Sequence, residues 1–137
     1  MEKPTADAGE KHIGRRVLVV EDSPVVAPFT ADLLAELGYA VVGPAANMAM
    51  ARELIEGEEF DAAIMDVHIR GERVFALCEA LAAKGVPFIL TSGYAAWDMP
   101  DKWVDRPRLQ KPYIVEGVER ALSDLLEGSY KLTDSPK

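Results

Sequence analysis

The chain has 137 residues, 49% of them hydrophobic, with one cysteine and a formal net charge of −8. That is the length of one domain, long enough to bury a substantial core and too apolar to stay disordered. The acidic balance argues against a nucleic-acid surface, a single cysteine (Cys78) excludes an intrachain disulfide or a CxxC metal pair, and no apolar run approaches the roughly 18 residues of a membrane span.

Residues 1–14 are polar and without period, and read as a flexible N-terminal arm in which His12 has no assigned role. The start lacks the apolar core of a signal peptide, so a cytoplasmic protein is expected. Arg16–Val20 reads as a first strand. Ser23-Pro24 then resembles an N-cap followed by a first-turn proline, opening a helix to Leu37 that buries Leu33, Leu34 and Leu37 and stops at Gly38. Pro28 would remove a backbone bond from it, so a distorted first turn or a later start is expected.

Tyr39–Pro44 reads as strand two, and Asn47 caps a helix through Glu56 that is stopped by Gly57. Phe60–Met65 is strand three, central because its apolar run is nearly unbroken. Glu72–Lys84 reads as a helix burying Val74, Phe75, Leu77, Cys78 and Leu81, followed by strand four at Val86–Thr91. Pro100 interrupts the segment 93–107, which also holds Trp97 and Trp103 and is expected to be a short helix or irregular. Arg108–Gln110 is a brief fifth strand, Tyr113–Glu127 an amphipathic helix, and residues 128–137 a polar tail. Five strand–helix alternations over residues 15–127 specify an α/β domain. Its parallel sheet is flavodoxin-like, with strand order 2-1-3-4-5, helices on both faces and a fourth helix short or irregular.

Ligands of such sheets bind beyond the carboxyl ends of the strands. There the sequence puts Glu21 and Asp22 after strand one, Asp66 after strand three, Ser92 after strand four and Lys111 after strand five. Three neighbouring carboxylates repel one another unless a cation joins them, and hard oxygen ligands suit Mg²⁺. Asp66 could then act as a nucleophile forming an acyl phosphate, with Lys111 and the Ser92 hydroxyl compensating charge on the phosphoryl oxygens. Taken singly, Asp66 is an ordinary strand-end acid and Lys111-Pro112 a commonplace dipeptide, so the weight lies in the combination.

The motifs VLVVEDS at 17–23, AAIMDVHIRG at 62–71, VPFILTSGY at 86–94 and LQKPY at 109–113 resemble those of response-regulator receiver domains, the phosphoacceptor modules of bacterial two-component signalling. The SGY ending and the proline-broken segment after it resemble the alphaproteobacterial single-domain subgroup described by a FATGUY motif. The resemblance implies Asp66 as phosphoacceptor and Ser92 and Lys111 as its hydroxyl and lysine. It also implies Mg²⁺ or Mn²⁺ held by Glu21, Asp22, Asp66 and the backbone carbonyl of His68, with Glu21 the weaker acid, acting through water.

The phosphoryl donor would be a sensor histidine kinase or a histidine phosphotransfer protein. A downstream protein would contact residues 93–127, or the chain would act as a phosphate sink, with no nucleic acid or membrane and a monomer or weak dimer as the working form. Such a module catalyses only its own phosphorylation and dephosphorylation. One position departs from the family pattern: Arg108 stands three residues before the lysine, where a switch aromatic is usual, and Tyr94 is a candidate substitute.

Three other functions compete. A haloacid-dehalogenase-type phosphohydrolase would need a general acid two residues after Asp66, where His68 stands. A flavodoxin-like electron carrier would need a phosphate loop free of Glu21-Asp22. A receiver-shaped interaction module that is never phosphorylated remains compatible with Arg108.

Overall fold

A computed structural model describes residues 12–93, 100–103 and 105–128. Strands β1 (Arg16–Val20), β2 (Ala40–Ala45), β3 (Ala62–Asp66), β6 (Phe88–Ser92) and β7 (Arg108–Gln110) form one sheet in the order β2-β1-β3-β6-β7, with every neighbouring pair parallel. This is the expected order 2-1-3-4-5, with one addition. His68–Ile69 (β4) and Glu72–Arg73 (β5) pair antiparallel as a small separate hairpin after β3.

The helices are α1 (Val26–Glu36), α2 (Met48–Gly57), α3 (Phe75–Lys84) and α4 (Val115–Glu127). Two apolar clusters cover the two sheet faces. Leu33 and Leu34 of α1 and Val118, Leu122 and Leu125 of α4 pack on Val17, Val19, Ile64 and Ile89. Ala51 and Ile55 of α2 and Leu77, Cys78 and Leu81 of α3 pack on Leu18, Ala63, Met65 and Leu90. β3 and β6 are buried at every position because both faces are covered, which explains their unbroken apolar runs. Cys78 is fully buried, and desolvation pushes its thiol pKa up to about 12, so it packs as a small hydrophobe.

Several boundaries differ from the sequence reading. The helix expected from Glu72 starts at Phe75, because Glu72 and Arg73 are taken by the hairpin. The helix after Ser23-Pro24 starts late, at Val26, although the Ser23 Oγ still accepts hydrogen bonds from the N–H groups of Val25 (3.2 Å) and Val26 (3.0 Å). Pro28 is therefore its third residue, where a backbone N–H would have no partner within the helix and its loss costs little. Asn47 caps α2 as expected, its side chain accepting from the Met50 N–H at 2.8 Å.

Of the arm expected over 1–14, residues 12–14 are described, and they are tied to the domain. His12 is 4% exposed, and the Gly14 N–H donates to the Gly38 carbonyl at 2.8 Å. Within 93–107, where a short or irregular helix was expected, the described residues contain one 3₁₀ turn, Asp101–Trp103. Trp103 is buried edge-on against Phe88, with ring centroids 5.6 Å apart, and so closes that end of the core. Tyr94 and Trp97 lie outside the described residues.

One glycine bears directly on the site. In β2 the register with β1 shifts between Leu18 and Val20, where Gly43 has φ +94°. A Cβ there would meet the Ala45 nitrogen at 2.8 Å and the Val19 oxygen at 3.0 Å. Beyond this irregularity the Ala45 carbonyl accepts the Glu21 N–H at 3.0 Å, which fixes the start of the loop carrying the acidic pair.

Candidate functional site

The carboxyl ends of β1, β3, β6 and β7 meet at one edge of the sheet. Asp66 is the last residue of β3 and Ser92 the last of β6. Lys111 follows β7, and its N–H donates to the Ser92 carbonyl at 2.8 Å, which seats the lysine directly against β6. Its Nζ then reaches back across the site, donating to Asp66 Oδ2 at 2.5 Å and pairing with Glu21 Oε1 at 2.9 Å.

Both carboxylates are largely withdrawn from water, with Glu21 3% and Asp66 9% exposed. Buried charges of one sign are tolerable only with a counter-charge, and Lys111 supplies it. Burial by itself would lower the lysine's pKa, but the hydrogen bonds and charges of Asp66 and Glu21 outweigh it and hold the pKa above its ordinary value.

Backbone donors complete the carboxylates. The His68 N–H donates to Asp66 Oδ1 at 3.0 Å, and the Ser23 N–H donates to Glu21 Oε2 at 3.0 Å. The Arg70 N–H, at the hairpin turn, donates to Asp22 Oδ2 at 2.7 Å. Glu21, Asp22 and Asp66 each present an oxygen within 4.8 Å of the others. Such a set of hard, closely spaced carboxylate oxygens fits a small divalent cation.

The fold thus brings Glu21, Asp22, Asp66 and Lys111 together, with Ser92 and Thr91 buried beside them at 5% and 1% exposure. Glu21 has a direct role that the sequence reading missed, as the second anchor of Lys111. Arg108 is exposed at the start of β7, in register with Leu90. Two further contacts were not foreseen. One is the bond from the Arg70 N–H to Asp22. The other joins Tyr113, two residues beyond the lysine, to Thr30 of α1 by their hydroxyls. Beside Lys111 lies a cavity of about 210 Å³ lined also by Val26, Phe29, Pro112 and Tyr113.

The sequence profile described as the response regulator receiver domain matches residues 17–106. The chain belongs to this family. Transcriptional regulatory protein PdtaR of Mycobacterium tuberculosis is 30% identical over 135 residues, covering 93% of this receiver chain and 65% of PdtaR. The chain therefore spans about two thirds of the length of that curated relative.

Among solved structures, SdrG from Sphingomonas melonis Fr1 is 38% identical with a TM-score of 0.74, covering 82% of this chain and 97% of SdrG. SdrG has also been solved in a BeF3-activated conformation, with a TM-score of 0.71. The receiver domain of the sensor histidine kinase PA1611 from Pseudomonas aeruginosa PAO1, solved with a magnesium ion in its active-site cleft, shares the fold at 23% identity. Its TM-score is 0.70, with 83% of this chain and 98% of that one covered. Among the described residues of this receiver, no helix is long and apolar enough to cross a membrane.

Proposed function

We propose that this receiver accepts a phosphoryl group on Asp66 from a phosphohistidine of a sensor histidine kinase or histidine phosphotransfer protein. The observation that carries this reading is the convergence of Lys111 on Asp66 (2.5 Å) and Glu21 (2.9 Å) beside Asp22. An Asp66 oxygen attacks phosphorus, the P–N bond to the donor imidazole breaks, and an acyl phosphate remains. Lys111 neutralises the acceptor carboxylate before attack and stays within reach of the phosphoryl oxygens after it. The Ser92 hydroxyl, at the end of the adjacent strand, would donate to those oxygens. Glu21, Asp22 and Asp66, with the His68 carbonyl, would hold Mg²⁺ or Mn²⁺. A bound divalent cation supplies positive charge against the oxygens of the transferring group. The BeF3-activated form of SdrG and the magnesium ion in the PA1611 receiver support both parts of this reading.

The donor has an apolar approach to the site. Phe29 (47% exposed) lines the cavity beside Lys111 with Val26, Pro112 and Tyr113, and an exposed apolar side chain there suits a protein contact. The signal then passes to a further protein partner through residues 93–127, or the chain drains phosphate from another regulator.

Intact-mass analysis tests the proposal. Incubation with acetyl phosphate and Mg²⁺ is expected to add one phosphate to the protein and none to Asp66→Asn. An unmodified wild type, under this donor and under a phosphorylated histidine phosphotransfer protein, would overturn it.

A further inference from the structure

Asp22 is the one member of the acidic cluster that Lys111 does not pair with; its hydrogen bond comes from the Arg70 N–H at 2.7 Å. Arg70 is the one non-glycine residue with positive φ (+52°) among the described residues, and Gly71 follows at +83°. Two successive positive φ values between Ile69 and Glu72, which face each other across the hairpin, make a type I′ turn. A β-carbon in this conformation is sterically penalised, and Asn or Asp are the usual non-glycine choices. Here the strained residue is an arginine whose side chain is exposed and whose N–H is aimed at a carboxylate.

The turn is firmly held. Ile69 is fully buried, the Val74 N–H donates to the Val67 carbonyl at 2.8 Å, and the Val67 N–H donates to the Thr91 carbonyl at 2.9 Å. These bonds attach the base of the hairpin to the sheet, so its tip is fixed relative to β3 and β6. The tip bond then ties the loop after β1 to the loop after β3 and takes one oxygen of Asp22. Without it, Asp22 would sit beside two other carboxylates and turn outward to water.

We propose that Arg70 is a positioning residue for the divalent cation, acting through its main chain: the Arg70-Gly71 turn holds the Asp22 carboxylate in the orientation that ligation needs. This rests on the cation-binding reading above.

The test is calorimetric titration of the full chain with MgCl₂. Arg70→Gly keeps the N–H and relieves the backbone, and its affinity is expected within about twofold of wild type. Arg70→Pro removes the donor and forces negative φ, and it is expected to bind about tenfold more weakly or worse. Equal binding by Arg70→Pro, or an equal loss in both variants, would overturn the clamp while leaving the cation reading intact. A wild type that binds no Mg²⁺ would overturn both. Hydrogen exchange covers the case of a misfolded proline variant. The Arg70 amide of wild type is expected to be protected, and unprotected in Asp22→Ala; fast exchange in wild type would refute the inference.

Discussion

The hydroxyls of Thr30 and Tyr113 share a hydrogen bond that ties α1 to the loop leaving Lys111. Thr30 is 1% exposed, and the Phe29 ring lies 6.3 Å from that of Tyr113. Burial raises the phenol's pKa, the bond to Thr30 opposes that, and the nearby Glu21 charge adds to it. Tyr113→Phe leaves the Thr30 hydroxyl buried without a partner and is expected to cost about 1–2 kcal/mol in urea unfolding. In the double variant with Thr30→Val about 1 kcal/mol of the summed loss should be recovered. Strictly additive losses would show that the two hydroxyls act independently.

Removing the amine should expose the repulsion it masks. Lys111→Met leaves Glu21 and Asp66 buried without their counter-charge, for an expected loss of about 3 kcal/mol in metal-free buffer. Millimolar Mg²⁺ should return part of that stability in Lys111→Met, because the cation would replace the missing charge. Denaturant midpoints with and without MgCl₂ check this. An unchanged midpoint in metal-free Lys111→Met would contradict the electrostatic account of the site.

Stability should fall in alkali. Lys111, Cys78, Tyr39 and Tyr113 all have pKa values raised above their ordinary ones. Each group binds its proton more tightly folded than unfolded, so unfolding releases protons and rising pH favours it. The contribution of Cys78 is whole below the ordinary thiol value of 9.0 and is lost as pH rises toward its folded value of about 12. For Lys111 the loss begins above 10.5. Urea midpoints should decline from about pH 9 upward, less steeply in Cys78→Ala. A flat profile to about pH 11 would contradict the burial of these groups.

Trp103 closes the end of the core beside Phe88. It is 2% exposed, meets Phe88 edge-on, and has the Arg106 guanidinium 5.2 Å from its ring centre. Trp103→Ala is expected to cost about 3–5 kcal/mol, and Trp103→Phe distinctly less. A loss below about 1 kcal/mol in Trp103→Ala would show that the ring is not part of the core.

β1, β3 and β6 were legible because burial on both faces demands unbroken apolar runs; β1 matches its expected bounds, and β3 and β6 are displaced by one or two residues. Strand-end chemistry made Asp22, Asp66 and Lys111 legible with them, since a parallel sheet must deliver those positions to one edge. The hairpin was not legible. Its strands are two residues each, too short for an alternating pattern, and Glu72-Arg73 reads equally well as the polar start of a helix. The Thr30–Tyr113 bond joins residues 83 positions apart, and nothing local to either announces the other. His12 misled because polar flanks suggested a loose arm, whereas its ring is buried with Nε2 3.4 Å from Glu127 Oε2.

The central claim, that Asp66 is the residue that takes the phosphoryl group, is tested most directly by reductive trapping. Borohydride converts an aspartyl phosphate to homoserine, and peptide mapping then reads the position. After incubation with a phosphorylated histidine phosphotransfer protein and Mg²⁺, homoserine is expected at position 66 and at no other aspartate. Homoserine at Asp22 or another acid, or phosphate recovered on a histidine or serine with Asp66 intact, would contradict the account.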